Sequence, residues 1–254
     1  MTSRLIASMA GAFALVLAGT ALAADIPANI AAAVADGGRP ADQTGRDAAR
    51  KPAEILAFAG VKTGDKVGDF IMGGGYFTRL FSVSVGPAGK VYAYQPAEFI
   101  QFQASYGADQ DKVAAAYANV TPLKNSLAAV AFPEPLDVIF TAQNYHDLHL
   151  GFIPDAGIAA IDKALFDALK PGGVLLVIDH YAADGSGATQ SKALHRIDIE
   201  TVKKELTAAG FVLEASSELL RQPADPRTAS VFDASIKGRT DQFVLKFRKP
   251  GKAS

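Results

Sequence analysis

Seven strand-like segments alternating with helical ones predict an α/β fold, a mostly parallel seven-stranded sheet with helices on both faces. Three observations carry this. LDVIFT (136–141) and VLLVI (174–178) are continuous apolar runs of strand length, the pattern of strands buried on both sides. Amphipathic helical stretches separate the strands, as parallel connections require. Finally, VGDFIMGGGYFTRLFS (67–82) reads as a strand, a glycine turn and the start of a helix. That order is one by which open α/β sheets hold nucleotide-like ligands.

The elements follow in order. Arg4, the apolar run from Leu5 to Gly19 and Ala21-Leu22-Ala23 have the form of a cleavable export signal over 1–23. The apolar run is shorter than a membrane span needs, and no basic stop-transfer cluster follows it. The expectation is an exported, periplasmic protein with no stable membrane anchor after cleavage. Residues 24–46, broken by Gly37-Gly38-Arg39-Pro40, read as an N-terminal arm wrapped on the surface of a single domain, 47–254. Asp47 to Ala59 has helical spacing and stops at Gly60. The first strand runs from Lys66 to Ile71, its helix from Tyr76 to Val85, and the second strand from Lys90 to Tyr94.

The middle predicts helices near 96–106 and 109–118 and a short strand at 120–123. After LDVIFT, a helix over 155–169 stops at Lys170-Pro171-Gly172-Gly173, ahead of VLLVI. A helix over 200–209 precedes the last two strands, 211–215 and 241–248.

Composition narrows the function. With 20% charged and 49% hydrophobic residues and a formal net charge of −1, there is no electrostatic footprint for nucleic acid. Cysteine is absent, which excludes disulfides, thiolate nucleophiles and thiolate metal ligands.

DFIMGGGYFTRL (69–80), VYAYQP (91–96), PLDVIFTAQNYHDLH (135–149) and LKPGGVLLVIDH (169–180) together resemble the class I S-adenosylmethionine-dependent methyltransferases, over about residues 51–249. The leader with NYHDLH, LHRID and SVFDASIKGRTDQFVLKFRKP resembles a bacterial group of exported, predicted methyltransferases. The resemblance implies a Rossmann-like sheet whose last strand is antiparallel, S-adenosyl-L-methionine as cofactor, and a small-molecule methyl acceptor as partner. It assigns the cofactor turn to Gly73, Gly74 and Gly75 and an orienting acid to Asp69. Asn144, after the fourth strand, joins that cofactor set.

Three positions depart from the family pattern. Ile71 stands where a glycine is usual, which predicts a tighter or shifted turn. Gln95 replaces the acid that accepts the ribose hydroxyls, and Asn125 or Ser126 replaces the acid near the adenine. Three softened contacts, each worth about 1 kcal/mol, would lower affinity about a hundredfold.

Chemistry belongs at the C-terminal ends of the strands. Methyl transfer to oxygen or nitrogen often needs a base, and histidine titrates in the useful range. That position makes His146 the expected base, with Tyr145 and His180 lining the acceptor pocket; a Gly, Ser and Ala-rich stretch from 182 to 193 is a candidate lid ahead of His195. Two other readings stay open. One is an exported, non-catalytic binding module with the same fold, for another adenosine-like or small aromatic ligand. The other is a divalent-metal protein built from His146, His149, His180 and His195 with Asp147 and Asp179. The leading reading assigns no metal.

Overall fold

A computed structural model describes residues 25–151 and 155–251. The export signal expected over 1–23 lies outside the described residues. No helix among the described residues is long and apolar enough to cross a membrane.

Helices α1 (Ala28–Val34) and α2 (Ala41–Thr44) each follow a proline, and α3 (Asp47–Arg50) and α4 (Pro52–Ala59) come next. The helix expected over 47–59 is therefore broken. Lys51 turns left-handed at φ +45° and Pro52 opens α4, because the residue before a proline is pushed out of the right-handed helical region. The expected surface arm is also more deeply set than predicted, since Ile30, Ala33 and Gln43 are buried.

The sheet begins with β1 (Lys66–Phe70), α5 (Tyr76–Val85), β2 (Lys90–Tyr94), α6 (Ala97–Phe102), α7 (Ser105–Ala116) and β3 (Val120–Leu123). It continues with β4 (Leu136–Ala142), a 3-10 turn at His146–His149, α8 (Asp155–Ala168) and β5 (Leu169–His180). Then come α9 (Ser191–Leu194), α10 (Ile199–Ala208), β6 (Val212–Ser217) and β7 (Gln242–Arg248). The strand order is β3-β2-β1-β4-β5-β7-β6. Neighbours from β3 through β5 are parallel, and β7 runs antiparallel to both β5 and β6. This is the Rossmann-like sheet, closing antiparallel strand included, that the sequence predicts.

Alternation sorts each strand into two cores. Val138, Phe140, Leu176 and Ile178 pack with α1, α4 and α5, where the rings of Phe77 and Phe81 lie 4.4 and 5.1 Å from Phe140. Ile139, Leu175 and Val177 face the opposite way, onto Ile161 and Leu165 of α8 and Val202 and Leu206 of α10. At the exposed edge β6 carries a bulge between Leu213 and Ala215, and Glu214 there pairs with Lys246 and Arg248. Bulges and charges of this kind discourage further strand pairing. The order reverses between β1 and β4, and a crevice at that switch point is the usual ligand site of such sheets.

Candidate active site

The chain leaves β1 through Ile71 at φ +62°, a left-handed conformation that is an outlier for a β-branched residue. The sequence predicts a tighter or shifted turn here, and the structure departs from that at Ile71 itself. It keeps a glycine-like backbone with isoleucine in it. Local bonds hold the strain: the Ile71 and Met72 N–H groups both donate to the Tyr94 carbonyl, at 2.9 and 3.1 Å. Asn144 Nδ2 donates to the Ile71 carbonyl at 2.9 Å and so ties the end of β4 to this turn.

Gly73 donates its N–H to Gln95 Oε1 at 2.9 Å. The Gly74 carbonyl accepts from Gln43 Nε2 at 3.0 Å and from Arg79 Nη1 at 2.9 Å. Gly75 opens α5 at φ +73°, and a Cβ there would lie 2.7 Å from Val113 Cγ2. Only glycine meets both demands. The N-terminal segment closes the outside of the turn, because Asp47 holds Arg39 at 2.6 Å and accepts the Tyr76 hydroxyl at 2.6 Å.

The acids and amides of this end depart from their expected roles. Asp69 is buried and accepts the Thr78 hydroxyl at 2.6 Å. Burial raises its pKa to about 7, against the Thr78 bond and the Arg50 charge. Asp69 therefore anchors the first turn of α5 and is not among the residues lining the cavity described below. Gln95 is turned inward onto Gly73, and its Nε2 is buried with no partner among the described residues. Ser126 is occupied too, since its Oγ accepts from Ala128 N–H and donates to Glu98. Glu98 also accepts the Leu127 N–H at 3.1 Å. The third-strand turn expected to be neutral thus faces a carboxylate, delivered from the first turn of α6.

A cavity of about 880 Å³ opens over the C-terminal ends of β4 and β5, a size suited to a small molecule with its cofactor. Glu98, Phe99, Phe102 and Tyr106 form one wall, and Asn144, His146, Asp147, His180, His195 and Phe232 form the other. Phe102 and Phe232 are 86% and 61% exposed. Of the predicted site residues, the structure brings Asn144, His146 and His180 together here. Tyr145 is absent from the lining. It is buried, with its hydroxyl between Asp162 at 3.0 Å and Glu205 at 2.9 Å. Burial, with those carboxylates, holds it well above the usual tyrosine range. The period of the 3-10 turn explains this, because it sends adjacent side chains to different sides.

His146 is 3% exposed and held on every side. Asp179 accepts from its backbone N–H at 2.8 Å and meets its ring Nδ1 at 2.8 Å. Its Nε2 faces His195 Nδ1 at 3.2 Å and Asp147 Oδ1 at 3.1 Å. Burial opposes charge on this ring, but Asp179 and Asp147 outweigh it and raise the pKa to about 10. His180, whose Nδ1 meets the Thr240 hydroxyl at 2.8 Å, is pushed down to about 4 by burial against the pull of Asp179. His149 turns away to Glu205 at 3.2 Å.

The site residues that sequence reasoning did not name are Glu98 and Gln43, while His195, Asp147 and Asp179 enter it only through the divalent-metal reading. A signal existed for some of them. Glu98 falls in the first helical turn after Pro96, where acids are favoured, and Asp147 and Asp179 flank predicted site histidines. Nothing local predicts that Gln43 reaches Gly74.

The fold and site define a class before any individual: a Rossmann-like α/β domain with its cleft at the strand-order reversal. Solved structures share the fold. The S-adenosylmethionine-dependent methyltransferase of Aquifex aeolicus is 23% identical, with 77% of this chain and 87% of that one covered at a TM-score of 0.54. An S-adenosylmethionine-dependent methyltransferase from Mesorhizobium loti is 18% identical, with 80% and 99% covered at 0.54. The [4+2]-cyclase SpnF is 17% identical, with 85% and 84% covered at 0.58. No protein-family model matches the sequence, and no curated protein matches it. The chain therefore has the class I methyltransferase fold.

Proposed function

We propose that the protein is an S-adenosyl-L-methionine-dependent methyltransferase acting on a small-molecule acceptor. The observation that carries this reading is the cavity itself: it lies at the C-terminal ends of the strands, with the carboxylate Glu98 on one wall and the His146–His195 pair on the other. The names of the Aquifex and Mesorhizobium structures support the choice of cofactor.

In this reading Glu98 takes the place of the missing acids and receives hydrogen bonds from the cofactor's ribose or adenine. A charged acceptor makes such bonds about twice as strong as the neutral Gln95 would. The acceptor's nucleophilic oxygen or nitrogen attacks the methyl carbon as the carbon–sulfur bond breaks and its electrons return to sulfur. The acceptor's proton must leave, and His195 is the group that takes it. It is part-exposed on the cavity wall, whereas both nitrogens of His146 are engaged. His146 and Asp179 position His195 from behind. Phe102 and Phe232 favour an apolar or aromatic acceptor. The opening residues support export to the periplasm, with no nucleic-acid partner.

One observation favours a second reading, in which the fold binds an adenosine-like or small aromatic ligand without methyl transfer. Gln95 is spent on the glycine turn, and the fold also serves a [4+2]-cyclase. Calorimetric titration of S-adenosylmethionine and S-adenosylhomocysteine separates the two. Micromolar binding with methyl transfer to a phenolic or amine acceptor is the expected result. Binding without transfer across an acceptor panel would favour the second reading, and no binding up to millimolar would overturn the first.

A further inference from the structure

We infer that His146, Asp147 and His195 form a preorganised site for one divalent metal ion, zinc by the chemistry of its donors, on the wall of the cavity. This goes beyond methyl transfer and does not depend on it, because the ion can be held whether or not S-adenosylmethionine binds.

The geometry is that of a half-built tetrahedron. His146 Nε2 lies 3.1 Å from Asp147 Oδ1 and 3.2 Å from His195 Nδ1, and that Nδ1 lies 3.6 Å from the same Oδ1. Ligand atoms bound to zinc at about 2.0–2.2 Å in tetrahedral array stand roughly 3.3–3.6 Å apart. An ion above the triangle would meet all three atoms after movements of a few tenths of an ångström.

Hydrogen bonding accounts for the triangle less well. Asp179 Oδ1 sits 2.8 Å from His146 Nδ1. That bond puts the proton of a neutral ring on Nδ1 and leaves the Nε2 lone pair facing an imidazole nitrogen and a carboxylate. In the metal-free protein Asp179 and Asp147 favour a second proton on that ring, at Nε2, and a metal ion would take its place. A proton on Nε2 lies along one line, toward His195 or toward Asp147, while a metal ion serves all three atoms.

The surroundings complete the site. Metal-bound histidines characteristically donate their second ring N–H to a carboxylate, which sets the tautomer and raises basicity. Asp179, 0% exposed, does this for His146 and is itself fixed by the His146 and His180 N–H groups. His195 is set by its position as the left-handed cap of α9 and by the Phe232 ring 4.8 Å away. All three ligands line the cavity, so the fourth position opens onto it, as in catalytic rather than structural zinc sites. Two imidazoles and one carboxylate with a fourth position open are a donor set that catalytic zinc takes. An ion so placed would bind and ionise an acceptor hydroxyl, which assigns an oxygen-bearing small molecule as its ligand. His149, directed at Glu205, takes no part, so the His-x-x-His spacing in the sequence is not the site.

The test is calorimetric titration of zinc chloride into the full chain, purified without a histidine tag and stripped with chelator. One equivalent is expected at micromolar affinity or tighter. His195→Ala and Asp147→Asn should each weaken it by about 100-fold and Asp179→Asn by about 10-fold or more, with His149→Ala unchanged. His195 is only part-buried, so its variant should keep the wild-type unfolding temperature and report on binding alone. Absence of binding at 1 mM zinc (about 4 kcal/mol), or one equivalent retained by both His195→Ala and Asp147→Asn, would overturn the inference.

Discussion

The two ends of the proposed site are built from different materials, and the glycine turn lies outside the lining of the cavity. At the glycine turn the contacts are backbone groups: the Gly73 N–H and the Gly74 and Ile71 carbonyls are each held by an amide side chain from elsewhere in the fold. At the histidine end they are charged side chains, with Asp179, His146, Asp147 and His195 within one hydrogen-bonded cluster. A backbone site depends on conformation, so its substitutions disturb folding and binding together. A side-chain site can lose its chemistry while the fold stands.

The sharpest way to break this contrast is Gly75→Val. The variant needs φ +73° and puts a Cβ 2.7 Å from Val113. We expect about 3 kcal/mol or more of destabilisation, read as a fall of several degrees in Tm, together with loss of cofactor binding. Stability within about 1 kcal/mol of the parent would mean that the turn tolerates another backbone.

Asp69→Asn tests the same end through pH. The folded pKa is raised to about 7 by burial, so the native state prefers the protonated acid. The associated stability is fully present below about pH 4 and is lost as pH rises through about 7. Asparagine can still accept the Thr78 hydroxyl but carries no charge. Urea unfolding should therefore show the variant more stable than the parent by up to about 4 kcal/mol at pH 8, with the gap narrowing as pH falls and closing near pH 4. Asp162, also raised to about 7 mainly by burial, is common to both chains and cancels. Parallel stability curves would show that Asp69 is already charged and paired in the native state.

At the other end, Asp179→Asn removes the charge behind His146 while keeping its shape. Turnover should fall about 10- to 100-fold, with cofactor affinity within about twofold of the parent. An equal loss in both would join the two ends into one unit and remove the contrast.

Sequence made the sheet legible and the site only partly so. β2, β3 and α5 fall on their predicted residues because apolar runs and glycine or proline breaks are local signals. β5 starts at Leu169 rather than Val174, since pairing with Leu136 draws the Pro171-Gly172-Gly173 stretch into the strand. That pairing is tertiary and leaves no local mark. The same holds for the site. His146 and His180 were found because they follow strands, whereas Tyr145 was misplaced because sequence does not say which side of a 3-10 turn a neighbour takes. Ile71 looked like a lost glycine, yet bonds from Tyr94 and Asn144, residues in β2 and beyond β4, hold it in glycine's conformation.

Glu98→Gln is the smallest of these effects and the one that best sharpens the contrast. Glu98 is the only carboxylate among the lining residues of the cavity wall formed by α6 and α7, so it is the one place where the backbone-built end would use charge. Glutamine can still accept from Ser126 and Leu127, so the turn should keep its shape. What is lost is the charge-assisted part of the cofactor bonds, about 1 kcal/mol, or five- to tenfold in affinity for S-adenosylmethionine. Turnover at saturating cofactor should stay at the parental value, because the histidine end is untouched. If calorimetry finds affinity unchanged, Glu98 only caps the third-strand turn, and the cofactor end relies on backbone groups and Asn144 alone.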